Sequence, residues 1–216
     1  MRVRGIALLM GLVLLAAISL VALLAANGAV LQQRMAANFG VSAKTLGHAT
    51  RATAAARDWL YSRPDFEREA DCLSDCLLPA AIHNVGQLPR NPEFESAAWW
   101  RANAVAAGSH PETGEPLATD PAEVDPPRWL IEEVHYRSLS DGSVEVAVAG
   151  IGYYRILAWS SGNSPGSLAV TESIVARPWD GEIEPLSYPS DLPSGTFCRQ
   201  FDPTLACGVQ AWRRRR

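Results

Sequence analysis

MRVRGIALLMGLVLLAAISLVALLAANGAVLQQRMAANFGVSAKTLGHATRATAAARDWL, residues 1–60, is the stretch whose reading decides the fold. Arg2 and Arg4 lead into Gly5, and no residue from Gly5 to Gln33 carries a charge. As a helix that run spans roughly 44 Å, against roughly 30 Å of bilayer hydrocarbon, so most of its length needs lipid or a lipid-like surrounding. It passes without a turn into a more polar stretch. There Met35, Phe39, Ser42, Leu46, Ala49, Thr53, Ala56 and Leu60 recur at alternating steps of four and three. All but Ser42 and Thr53 are apolar, which predicts a narrow buried stripe of small residues against which a sheet face could lie closely. Gly28, Gly40 and Gly47 each cost roughly 1 kcal/mol of helix propensity relative to alanine, so fraying is expected near them. Ser62 and Pro64 mark the end, because the residue before proline is steered away from helix.

Outward from this helix, 216 residues allow one membrane anchor and one modest globular domain. The net charge of −4 hides a sharp asymmetry. Residues 1–57 hold six basic residues and no acid, residues 58–212 hold 23 acids against nine arginines, and Arg213–Arg216 return four positive charges. A basic stalk with an acidic head argues against nucleic acid as a partner, since phosphate binding needs a basic footprint on the folded domain.

Cys72, Cys76, Cys198 and Cys207 all follow the apolar run. Arg2 and Arg4 belong on the cytoplasmic side, so the cysteines face an oxidising compartment and two disulfides are expected over free thiols. Sequence alone allows three pairings. The local ones, Cys72–Cys76 and Cys198–Cys207, each close a short loop and are favoured. A metal site at Cys72-Leu-Ser-Asp-Cys76 is disfavoured by the compartment and by the lack of a neighbouring histidine.

Three readings of the first thirty residues compete. A cleaved signal peptide should have an apolar region of about 7–15 residues ending at a small-x-small site. Ile6–Ala26 is longer, and only the relaxed Ala26-Asn27-Gly28 follows it. An ordinary signal anchor explains the arginines and the run, but neither Gly5 nor the long helical continuation. A short basic leader, then Gly5, then an apolar run from Ile6 resembles the class III leader of type IV prepilins. That resemblance implies cleavage by prepilin peptidase between Gly5 and Ile6, with methylation of the new amine. Most pilins carry glutamate as the fifth mature residue, where it pairs with a neighbour's amine in the filament core; here Met10 stands there. A buried carboxylate in an apolar bundle is tolerable only when paired. Within the superfamily its lack is associated with minor subunits at or near the filament tip.

The segment LQQRMAANFGVSAKTLGHATRATAAARDW, residues 31–59, is similar to the N-terminal signature of PilX-type minor pilins. Leu31, Arg34, Met35, Ala36 and Asn38 match it position by position, although family members usually keep more acids in this segment. Farther on, Tyr154-Arg155-Ile156-Leu157-Ala158, a glycine-rich turn and Ala169-Val170-Thr171-Glu172-Ser173 resemble the C-terminal hairpin of the same family. The resemblance implies an α+β, pilin-like fold: a class III leader at 1–5, a transmembrane and filament-core helix at 6–30, an amphipathic helix at 31–62, and a periplasmic head at 63–216. Subunit packing would fall to Met10, Met35, Phe39 and Leu46. Implied partners are prepilin peptidase, other minor and major pilins, and a tip adhesin as a further candidate. The implied location is the inner membrane of a bacterium, single-pass, and then the pilus filament.

Within the head, Glu93–Ala104 reads as a short helix opened by Pro92, with acids in its first turn. Trp99 and Trp100 could form a sugar platform, but at least one is expected in the core of so small a domain. Residues 108–127, dense in Pro, Gly, Thr and Asp, predict a loop. Arg128–Arg137, Val144–Ser160 and Ser167–Pro178 read as an antiparallel meander with turns at Asp141-Gly142 and Gly162–Gly166. Gly150 and Gly152 suggest a bulge, or a division of the long middle strand. Residues 180–216 are expected to hold little regular structure, pinned by the Cys198 and Cys207 loop that is usual in pilins, with Arg213–Arg216 as a solvated tail.

Nothing in the chain asks for catalysis or a cofactor. Gly162-Asn163-Ser164-Pro165-Gly166 fits the hydrolase elbow G-x-S-x-G, but Pro165 lacks the N–H the oxyanion hole needs and a strand follows it. His48, His83, His110 and His135 are scattered, without zinc spacing. Glu132 and Glu133 alternate across a strand and cannot act as an acid/base pair. Asp180, Glu182 and Glu184 read as an exposed acidic loop in preference to a calcium site. The nearest other readings are a K-type minor pseudopilin of type II secretion, which also lacks the glutamate, and a membrane-anchored periplasmic binding protein using Trp99 and Trp100.

Overall fold

The computed structural model describes residues 3–64, 82–117, 125–139, 150–162, 166–179, 184–190, 192 and 195–216. Cys72 and Cys76, the Asp141-Gly142 turn, Asn163-Ser164-Pro165, Asp180 and Glu182 lie outside these residues. The chain divides into two compact units, residues 1–43 and 44–216.

Helix α1, Val3–Tyr61, is continuous over 59 residues, and Gly28, Gly40 and Gly47 do not interrupt it. The fraying expected at those glycines is absent because propensity costs of about 1 kcal/mol are small beside the cooperativity of so long a helix. α1 stops at Tyr61, where Ser62 Oγ donates to the Trp59 carbonyl at 2.7 Å.

The 44–216 unit is an α+β domain built on a sheet. Its strands are β1 (Ile82–His83), β2 (Val105–Ala106), β3 (Arg128–Ser138), β4 (Gly150–Ser161), β5 (Leu168–Trp179) and β6 (Gly208–Arg214). The order is β1-β3-β4-β5-β6, with β2 also on β3, and every pairing is antiparallel except β1 with β3. The three central strands are the expected meander. In β4 the period of two sends Tyr154, Ile156 and Ala158 to one face and Leu157 and Trp159 to the other. The first face packs on Ala52, Ala56, Trp59 and Leu60 of α1, together with Trp129, Ile131 and Val175. Small alanines on the helix let the sheet approach closely, and two hydroxyl pairs tie the layers: Thr53 to Thr171 at 3.0 Å and Thr45 to Ser167 at 2.9 Å. The second face carries Leu130, Leu157, Trp159 and Val170, covered by Leu88 and Trp100.

Three expectations are corrected. The predicted helix at 93–104 is a 3₁₀ turn at Pro92–Phe94 followed by α2, Ala97–Asn103. Pro92 opens the 3₁₀ turn, and Ser96, which accepts from the Trp99 N–H at 3.1 Å, is the N-cap of α2. Residues 144–149 of the expected middle segment lie outside the described residues; within β4, whose pairing with β5 is regular from end to end, Gly150 and Gly152 form no bulge. They leave room for aromatic rings: a Cβ on Gly152 would stand 2.6 Å from the Tyr154 ring, and one on Gly150 would strike Tyr136. The irregularity lies on β3, between Glu133 and His135. Finally, the C-terminal segment is not a solvated tail: Gly208–Arg214 is β6, paired with β5 from Thr171 to Ala176.

Candidate functional site

The apolar part of α1 exposes large side chains on all sides. Leu9, Met10, Leu12, Val13, Leu14 and Leu15 are all exposed, and the same holds along the helix to Leu31. A helix apolar all round is stable only inside lipid or among other apolar helices. This helix is long and apolar enough to cross a membrane. The one side-chain hydroxyl bond here is local, Ser19 Oγ donating to the Leu15 carbonyl at 2.8 Å. Met10 is 68 % exposed and offers its thioether to whatever surrounds the helix.

The predicted stripe divides at its middle. Ala49, Thr53, Ala56 and Leu60 are buried against the sheet, and Leu46 is half-buried. Met35 and Phe39, by contrast, are 64 % and 77 % exposed. In the buried half, Thr45 pairs its hydroxyl with that of Ser167 at 2.9 Å. Of the four residues expected to pack against other subunits, Met10, Met35 and Phe39 are open and Leu46 is half-buried. Gly5 and Ile6 lie within α1.

At its C-terminal end α1 is clamped by a buried cation. Arg177, 1 % exposed on β5, donates to the carbonyl of Arg63 and stacks its guanidinium 3.5 Å over Trp179 and 5.5 Å from Phe197. A cation at the carbonyl end of a helix is favoured by the helix dipole. Tyr61 stacks on Phe197 with ring centroids 4.4 Å apart, and its hydroxyl lies 3.9 Å from Cys198 Sγ. Burial pushes the Tyr61 phenol up to about 12, against the opposing pull of Arg57. Cys198 is bonded to Cys207, and Gly208, with φ of +86°, then turns the chain into β6.

β6 is held by charge as well as by its ladder. Glu172 accepts from Arg213 at 2.7 Å and also pairs with Arg215, which reaches Glu93 at 3.0 Å. The Arg215 N–H donates to the Val170 carbonyl at 2.8 Å. Sequence reading missed this strand because four consecutive arginines follow Trp212 and an irregularity opposite Ile174 and Val175 breaks the period of two among Val209, Ala211 and Trp212.

The other candidates serve structure. Trp100 is buried, stacked on Trp159 at 6.2 Å, and its Nε1 donates to the Pro92 carbonyl at 3.2 Å. Trp99 stands edge-on to Trp100, so the two rings do not form a flat platform. Glu132 bonds Arg155 at 2.7 Å and accepts from the Gly86 N–H at 2.8 Å. Glu133 instead accepts from the Tyr154 hydroxyl at 2.8 Å, which itself accepts from Trp179 Nε1 at 3.0 Å. The two glutamates therefore serve different partners. Burial pulls the His83 imidazole below its ordinary range, and His135 stacks on Tyr153. Among the described residues no His, Cys, Asp and Glu side chains gather as a metal site.

Residues 4–48 match the PilX N-terminal family model. Over that segment the chain is similar to the PilX N-terminal domain. The matched segment takes in Gly5, the whole apolar run and the open residues Met35 and Phe39. The match is confined to α1 and does not extend into the sheet. No curated protein and no solved structure matches the chain significantly.

Proposed function

We propose that this PilX-type chain is a minor pilin that takes part in type IV pilus assembly, in the priming or tip complex, as a structural and not a catalytic subunit. Prepilin peptidase cuts between Gly5 and Ile6, and the helix waits in the inner membrane with its head in the periplasm. The segment 6–30 then leaves lipid for a bundle of equivalent helices from other minor and major pilins. Met10 needs no amine partner there, unlike the glutamate of most pilins, which suits a subunit with no neighbour on that side. The observation that carries this reading is the all-round apolar exposure of α1 within the segment that matches the PilX model.

The test is an anchor exchange. In a host lacking the chain, the full protein restores surface pili. A version whose residues 6–30 are replaced by an unrelated transmembrane helix restores none, although its head is exported and folded. Restoration by the exchanged version would make the helix a mere anchor and defeat the proposal.

A further inference from the structure

β6 is an edge strand, with β5 as its one neighbour among the described residues. Every residue from Val209 to Arg214 is exposed. In an antiparallel pair about half of the N–H and C=O groups of an outer strand point away from its neighbour, which leaves β6 a template for another strand. The register sets Val209 opposite Val175 and Trp212 opposite Ser173, so both lie on the face that packs against α1. They stay 48 % and 50 % exposed. Charge decides what this edge accepts. Gly208–Arg216 contains four arginines and no acid, and Arg213 keeps 62 % of its side chain exposed even while it bonds Glu172.

We propose that the open edge of β6 receives an extended, acidic segment of a partner chain as an added strand. Main-chain hydrogen bonds along Val209–Arg214 hold it, its carboxylates meet Arg213 and Arg214, and its apolar residues cover Val209 and Trp212. The same arginines turn away uncharged and basic strands, the usual defence of an exposed edge, so affinity and discrimination come from one feature. Self-pairing of two β6 strands is disfavoured because it brings the arginines of both copies to the seam and no acid to meet them.

The test uses the full chain in detergent micelles and hydrogen exchange over residues 208–216. Three synthetic peptides serve as probes: one of alternating Thr, Val and Glu; the same with Lys for Glu; and the Glu peptide with proline at alternate positions, which keeps its charge but cannot form a ladder. The expected result is slowed exchange in β6 with the first peptide alone. Binding should weaken about two- to thirtyfold in Arg213→Gln/Arg214→Gln, the range for losing two exposed charge pairs. No protection by the first peptide would overturn the proposal, as would equal binding of the lysine or proline peptide. Protection that rises with protein concentration alone would assign the edge to a second copy and overturn it too.

Discussion

The hydroxyls of Thr53 on α1 and Thr171 on β5 share a hydrogen bond of 3.0 Å in the buried seam between helix and sheet. Thr171 is fully buried, and Thr53 is 9 % exposed and also donates back to the Ala49 carbonyl. Packed this closely against the alanines of the helix, neither hydroxyl can turn to solvent for a replacement partner.

Thr53→Val should therefore strand the Thr171 hydroxyl and cost about 1–3 kcal/mol, the penalty of a buried polar group left without its partner. Thr53→Val/Thr171→Val should recover part of that loss, because both polar atoms are then gone. Ala56→Leu, which overfills the same seam, should cost about 1–3 kcal/mol. Urea unfolding of the full chain in micelles, followed by tryptophan fluorescence, measures all three.

Arg177→Met keeps the volume of the buried side chain but removes its charge, its stack on Trp179 and its bond to the Arg63 carbonyl. The expected loss is roughly 2–4 kcal/mol, since a desolvated cation–π contact and a charged hydrogen bond disappear together. The end of α1 should loosen first, read as faster exchange of the amides at 60–63.

Replacing Cys198 and Cys207 by serine opens a loop with a sequence separation of nine. The chain-entropy relation puts the loss at about 2–3 kcal/mol. β6 begins directly after this loop, so its amides should exchange faster than those of β4 in the same variant.

Much of this architecture is legible in the order of the residues. The period of two in Tyr154–Ala158 reveals β4, and the 4-3 spacing reveals the buried half of α1. Pro64 reveals where that helix stops. Other features depend on contacts between distant residues. Met35 and Phe39 continue the same periodicity as Ala49 and Thr53, yet they are exposed while those two are buried, a difference that spacing does not encode. β6 is invisible for a related reason: Glu93 and Glu172, far away in sequence, hold Arg215 in place. The Arg177 clamp likewise joins Arg63, Trp179 and Phe197 from three separate elements.

Stability should fall at alkaline pH. Burial raises both Tyr61 and Tyr188 to about 12, above the ordinary value of 10.0. Between those values the unfolded chain gives up the phenolic protons while the folded chain keeps them, so folding weakens as pH rises from about 10 to about 12. Each tyrosine contributes a slope of up to about 1.4 kcal/mol per pH unit. Circular dichroism of the wild type and of Tyr61→Phe/Tyr188→Phe checks this, and the double variant should show the flatter profile.

The central claim is that α1 is an assembly helix released by cleavage after Gly5. N-terminal sequencing and intact mass of the chain produced together with prepilin peptidase test it most directly. The account predicts a mature protein that begins at Ile6 with a methylated amine and loses that processing in the absence of the peptidase. An intact Met1, or a start near Ala29, would contradict it.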